Sequence, residues 1–274
     1  MTIHLNINDI NDINNINKKL NRDKQTIFST IIIIILFLFI ITLNKSLKIN
    51  ILLLIILNTL IVLYNIKSID NHYPKIIKSI KNDNYEVILI DNILSDDECD
   101  ELIKYSNTQK FITSETSGEY GNITSDYRKS EQIWITDNEN KIADKISNIT
   151  ELLIGLPRSN FESLQLVKYD VSGYFKEHYD AEINKTKKSN IKDRAHTLIV
   201  YLNNVEEGGG TEMLKLNLKI QPKKGMGLYF KTLDESGNLL DKSYHQGLPI
   251  IRGEKYIINK WVHLNKFKSD QEVD

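Results

Sequence analysis

An α+β fold, with supporting helices packed on a β-sandwich or jelly roll, is the architecture the sequence predicts. Two observations carry it. Helical apolar periodicity in the polar part of the chain is confined to the stretch before Pro157, and after Pro157 the chain turns to short apolar runs separated by turn residues.

Taken in order, residues 1–26 form a low-complexity polar tail, with Ile7, Ile10, Ile13 and Ile16 spaced by Asn and Asp. A period of three suits neither a helix stripe nor a strand. Residues 27–64 are the apolar part. The run Ile27–Leu43 carries no charge, and as a helix it would be about 26 Å long, at the lower limit for crossing a bilayer. A second run, Ile51–Tyr64, is interrupted by Asn58. One or two transmembrane segments are therefore expected, with the membrane as a partner. Lys18, Lys19, Arg22 and Lys24 precede the first run, and Lys67, Lys75, Lys78 and Lys81 follow the second. That bias places both ends in the cytosol if both runs cross.

Residues 65–84 read as a polar linker, and residues 85–268 as the main folded domain. The domain opens with a short strand, EVILIDNIL. Ser95 with Glu98 three residues later makes a capping box, and Cys99, Leu102 and Ile103 supply that helix with an apolar stripe. A second helix is expected from about Asn138 to Leu153, with Ile142, Ile146, Ile149 and Leu153 on one face and Gly155 and Pro157 as its stop. Beyond it, LQLVKY, HTLIVYL, GLYF and KYIINKW read as strands. Gly208–Gly210 and Gly225 belong to turns.

The near-neutral balance, a net charge of −1, excludes a basic nucleic-acid-binding surface. One cysteine, Cys99, permits no internal disulfide and reads as a buried core residue.

The chemistry starts at YDVSGYFKEHYD, which ends in His178 and Asp180. Two residues apart in an extended strand, they point to the same face. An imidazole and a carboxylate there make half of a metal site. Two histidines and a carboxylate that leave other positions open suit a non-haem Fe(II) oxygenase. His245 follows in SYHQGLPI. Further on, Lys255, Ile257, Asn259 and Trp261 share one face of a strand.

From about LSDDECDELI to NKWVH the chain resembles the prolyl 4-hydroxylase branch of the Fe(II)/2-oxoglutarate dioxygenases. YRKS, LQLVKYD, His-x-Asp, RAHTLIVYLNNVEEGGGT, PKKGMGLYF and a lysine ten residues after the last histidine occur in order. The resemblance implies a double-stranded β-helix core and an oxidoreductase that hydroxylates peptidyl proline with Fe(II), dioxygen and 2-oxoglutarate. It implies His178, Asp180 and His245 as metal ligands, and Lys255 as the partner of the far carboxylate of 2-oxoglutarate. Tyr169 and Thr197 would line the cosubstrate pocket, and Arg128, Ser130 and Trp261 would position substrate. L-Ascorbate is implied as a rescuing reductant, and a secretory-lumen location competes with the cytosolic one. Formal charges on Fe(II), Asp180, the dianionic cosubstrate and Lys255 cancel, as a closed pocket requires.

Rival readings keep the iron and change the substrate to lysyl side chains, a nucleobase or a small metabolite, or make the fold an inactive membrane-bound binding module. Glu182–Asp193 reads as a lid over a peptide. His196 and His263 read as structural, and Trp134 as core.

Overall fold

The computed structural model describes residues 54–62, 73–82, 85–114, 116–118, 121–123, 126–181 and 194–267. The chain divides into two compact units, Met1–Tyr73 and Pro74–Asp274. In the first, the described stretch is a helix over residues 54–62. The expectation of a membrane location is corrected here: among the described residues no helix is long and apolar enough to cross a membrane. The polar tail and the run Ile27–Leu43 lie outside the described residues, as does the segment Glu182–Asp193.

The second unit starts earlier than expected. Residues 65–84 were to be linker, yet Lys75–Asn82 is a strand, β1, paired with β2, Tyr85–Asp91. Its lysines sit on the free edge of a sheet, where charge discourages pairing with other chains; that composition is what makes the segment read as linker. Next come helix α1 (Asp96–Ser106), β3 (Ile112–Thr113), β4 (Thr116–Gly118), β5 (Gly121–Ile123), β6 (Arg128–Lys129) and β7 (Glu131–Ile135). Helix α2 (Lys141–Ile154) leads to β8 (Leu164–Tyr169), β9 (Tyr174–His178) and β10 (Arg194–Tyr201). The remainder is β11 (Glu207–Gly208), β12 (Thr211–Met213), β13 (Leu218–Ile220), β14 (Gly227–Lys231), β15 (His245–Gly247), β16 (Ile250–Arg252) and β17 (Lys255–His263).

Two antiparallel sheets dominate. The large one runs β1-β2-β14-β10-β17-β8-β7-β3 and the small one β13-β12-β15-β9-β6. One core cluster draws Val167, Tyr169, Ile199, Tyr201, Phe230 and Ile257 from the large sheet and Met213 and Ile220 from the small one. The sheets therefore face each other across a shared interior, as in a jelly roll. β17 is buried along its whole length, so its second face is covered too.

The helices supply that cover. Lys260 on the outer face of β17 lies 3.6 Å from Asp137, which accepts a hydrogen bond from Ser147 of α2. α1 begins with the expected capping box, Ser95 and Glu98 each bonding the other's backbone N–H, worth about 1 kcal/mol. Glu98 also receives Lys145 of α2 at 2.7 Å, linking the helices. α2 starts at Lys141 and not near Asn138, because Asn140 caps Ile142 and Ala143 with its side chain. Gly155, at φ 76°, ends it. Gly225, also at φ 76°, passes so close to Leu94 that a Cβ would fall 2.3 Å from its carbonyl oxygen.

Candidate metal centre

His178 is the last residue of β9 and His245 the first of β15, and the two are register partners on neighbouring strands. Asp180 follows His178 by two. One ligand atom from each of His178, Asp180 and His245 lies within 4.8 Å of the others. His178 Nε2 is 3.5 Å and His245 Nε2 3.9 Å from Asp180 Oδ1. Asp180 and His245 are buried and His178 is half-buried.

Each ligand atom is freed by a bond on the other side of its group. His178 Nδ1 lies 2.7 Å from the Lys176 carbonyl and His245 Nδ1 2.8 Å from the Ser243 carbonyl. A carbonyl only accepts, so Nδ1 carries the proton and both Nε2 lone pairs face inward. Asp180 Oδ2 accepts from the Thr197 hydroxyl at 2.6 Å, leaving Oδ1 for the centre. Burial and the neighbouring His178 push His245 down to about 4, so it is neutral at ordinary pH. Burial raises Asp180, but His245, His178 and Thr197 outweigh it and hold the carboxyl well below the usual range. Two neutral imidazoles and a carboxylate are the donor set that Fe(II) takes, so the residues fit that metal.

Lys255 stands on the inward face of β17, opposite Tyr169 of β8. It is 3% exposed, with its ammonium 5.5 Å from the Tyr169 ring centre and 5.7 Å from that of Tyr201. Burial alone pushes it down to about 7, and no carboxylate among the described residues counters that. A buried cation without a counter-charge calls for an anionic ligand. Tyr201 was absent from the sequence-based set, although the alternation Thr197, Ile199, Tyr201 along β10 points it inward. Thr197, expected on the cosubstrate wall, instead bonds the candidate metal carboxylate.

Arg128 and Ser130 are both buried. Arg128 Nε donates to Ser130 Oγ at 2.8 Å, and Nη2 to Gln165 Oε1 at 3.4 Å. The guanidinium lies 4.6 Å over the Phe175 ring, and Phe175 stacks on His178 at 3.6 Å. Gln165 also bonds Gln132 and Asn259. Phe175 and Gln165 fall within quoted stretches of the sequence, but neither they nor Gln132 announced a role there; the packing of neighbouring strands and of the two sheets joins them to Arg128.

Trp261 is buried, with the Arg194 guanidinium 3.7 Å over its ring and Trp134 at 6.1 Å. Its Nε1–H has no partner among the described residues. Trp134, expected in the core, is 43% exposed beside it. Glu162 receives Arg194 through both carboxylate oxygens, at 2.5 and 2.8 Å, and His263 Nε2 at 2.7 Å. Burial raises Glu162, but Arg194 and His263 prevail and bring it to about 2. His196 packs against Tyr229, with Nδ1 3.0 Å from the hydroxyl oxygen, away from the three ligands.

Comparison with known proteins agrees with this geometry. Residues 164–263 match the 2OG-Fe(II) oxygenase superfamily. A putative prolyl 4-hydroxylase of Acanthamoeba polyphaga mimivirus is 32% identical over 185 residues, 65% of this chain and 74% of that one. The human prolyl 4-hydroxylase subunit alpha-1 is 28% identical over 188 residues, 66% of this chain but 35% of that subunit. Among solved structures, the viral collagen prolyl hydroxylase from Paramecium Bursaria Chlorella virus-1, in its 2OG complex, superposes with a TM-score of 0.54 at 33% identity, covering 66% of this chain and 96% of that one.

Proposed function

Because the chain belongs to the prolyl 4-hydroxylase-like 2-oxoglutarate/Fe(II) oxygenases, we propose that it hydroxylates proline in a peptide, consuming dioxygen and 2-oxoglutarate and releasing succinate and carbon dioxide. It is a dioxygenase, and Fe(II) and 2-oxoglutarate are its cofactor and cosubstrate. The observation that carries the reading is one interior shared by the converging atoms of His178, Asp180 and His245 and by the uncompensated ammonium of Lys255.

In this reading His178 Nε2, His245 Nε2 and Asp180 Oδ1 hold the metal, which supplies the oxygen-activating chemistry when bound. Thr197 fixes which Asp180 oxygen is available. Lys255 pairs with the far carboxylate of the cosubstrate, and Tyr169 and Tyr201 wall that end and exclude water. Arg128 and Ser130, held by Gln165, set the side of the site toward the peptide, with Phe175 between Arg128 and His178. Trp261 offers its unpaired Nε1–H to whatever occupies the cavity. L-Ascorbate is the reductant that the same reading implies would support turnover.

The test is incubation of the full chain with Fe(II), 2-oxoglutarate, ascorbate and proline-rich peptides, followed by mass spectrometry. A one-oxygen gain on proline, matched by succinate, is expected. Oxygen found only on lysine, or on no peptide, overturns the substrate assignment.

A further inference from the structure

Tyr179 lies between His178 and Asp180, and Tyr244 directly precedes His245. Since neighbours along an extended chain project to opposite sides, the two tyrosines leave the backbone on the side away from the metal ligands. They meet there. Their ring centres are 4.7 Å apart, while the rings of His178 and His245 are 4.3 Å apart on the inner side. The tyrosine pair is closed by one carboxylate. Tyr179 Oη donates to Asp241 Oδ1 at 3.0 Å, and Lys215 Nζ donates to the same oxygen at 2.9 Å. Lys215 also sits 5.8 Å over the Tyr244 ring, and its own carbonyl accepts from Lys242 Nζ at 2.8 Å.

The backbone between the ligands does little of this work. β15 spans only His245–Gly247, and its register against β9 shifts immediately after the His178–His245 pair. β12 holds β15 in regular register on its other side, but the ladder that joins the two ligand strands is short and irregular. We infer that Tyr179 and Tyr244 form an outer staple, locked by Asp241 and Lys215, that sets the spacing of His178 and His245 and thereby the affinity of the metal site. These are positioning residues, acting through the ligands they adjoin. The inference rests on the metal-centre reading above.

The experiment titrates the metal-free full chain with Mn(II) by calorimetry, in the absence of cosubstrate and turnover. Tyr179→Ala and Tyr244→Ala are expected to weaken binding about tenfold, the usual cost of losing an outer support of a metal ligand. Tyr244→Phe keeps the ring contact and is expected to bind as wild type does. Asp241→Asn and Lys215→Met, both on exposed side chains, shift affinity in the same direction by about two- to threefold at an unchanged thermal midpoint of the metal-free protein. They carry the test if an alanine variant fails to fold. In turnover, the apparent KM for Fe(II) rises in the weakened variants while that for 2-oxoglutarate stays put. Folded variants that bind Mn(II) like wild type overturn the staple. A wild type that takes up no Mn(II) overturns the metal-centre reading itself, and the staple with it.

Discussion

Lys255 and Tyr169 stand directly opposite each other on neighbouring strands, and the lysine ammonium lies 5.5 Å from the centre of the tyrosine ring. The ring faces a cation that burial has brought down to about 7 from an ordinary 10.5. The unfolded chain therefore holds more protons than the folded one between those values, so ligand-free stability should rise with pH from about 7 to about 10.5. Lys255→Met should flatten that part of the profile in denaturant titrations. Adding 2-oxoglutarate with Mn(II) should also flatten it in wild type, because the anion restores the charged form of Lys255. A slope that persists in Lys255→Met would remove the assignment.

Lys255→Ala should raise the KM for 2-oxoglutarate at least about tenfold, the scale of losing a buried charge-assisted pair. Excess cosubstrate should restore part of the rate. His178→Ala should abolish turnover outright, with no rescue by cosubstrate, since it removes a metal ligand. Steady-state kinetics on both variants separate the two roles.

Glu162→Gln leaves Arg194 half-buried without its counter-charge, and breaking such a pair should cost about 3–5 kcal/mol. The depressed Glu162 contributes stability that is present above its ordinary value of 4.5 and is lost as pH falls toward about 2. Wild type should therefore lose stability across that window, and Glu162→Gln should lose less. Unfolding curves at stepped acidic pH measure both.

Trp261→Phe keeps an aromatic under the Arg194 guanidinium but removes an N–H that has no partner among the described residues. If that donor serves a bound molecule, kcat/KM for peptide should fall about tenfold, the upper range for one neutral hydrogen bond. Unaltered kinetics in a folded variant would assign Trp261 to packing alone.

The pairing of His178 with Asp180 has a local cue, whereas His245 was named from its ten-residue spacing to Lys255 and the family resemblance. His178 and Asp180 are two apart on extended backbone, and the inward row of β17 follows from the same alternation. The helices were legible from Ser95, Glu98 and Gly155, whose capping chemistry operates within one turn. Residues that meet only across strands were not. Phe175 against Arg128 and Tyr201 beside Lys255 depend on register, which one strand's sequence does not specify, and Gln165 reaches Arg128 from the opposite sheet. β1 was hidden by its lysines, which are edge protection and look like linker composition. Arg128 was named from the YRKS resemblance, which says nothing of its burial; hydrogen bonds to Ser130 and Gln165 and the face of Phe175 make that burial tolerable. Apolar length suggested a membrane span, and among the described residues no helix is long and apolar enough to cross a membrane.

Lys255 and Trp261 are carried by the same straight rod of backbone, six residues and about 20 Å apart. Inserting or deleting one residue between them would turn one of the two out of the cavity, and sliding the rod would move both together. Selection for a new substrate is thereby denied this strand as raw material. Divergence among such enzymes should accumulate instead in the loops and short strands around the cavity mouth, with the rod inherited unchanged in length.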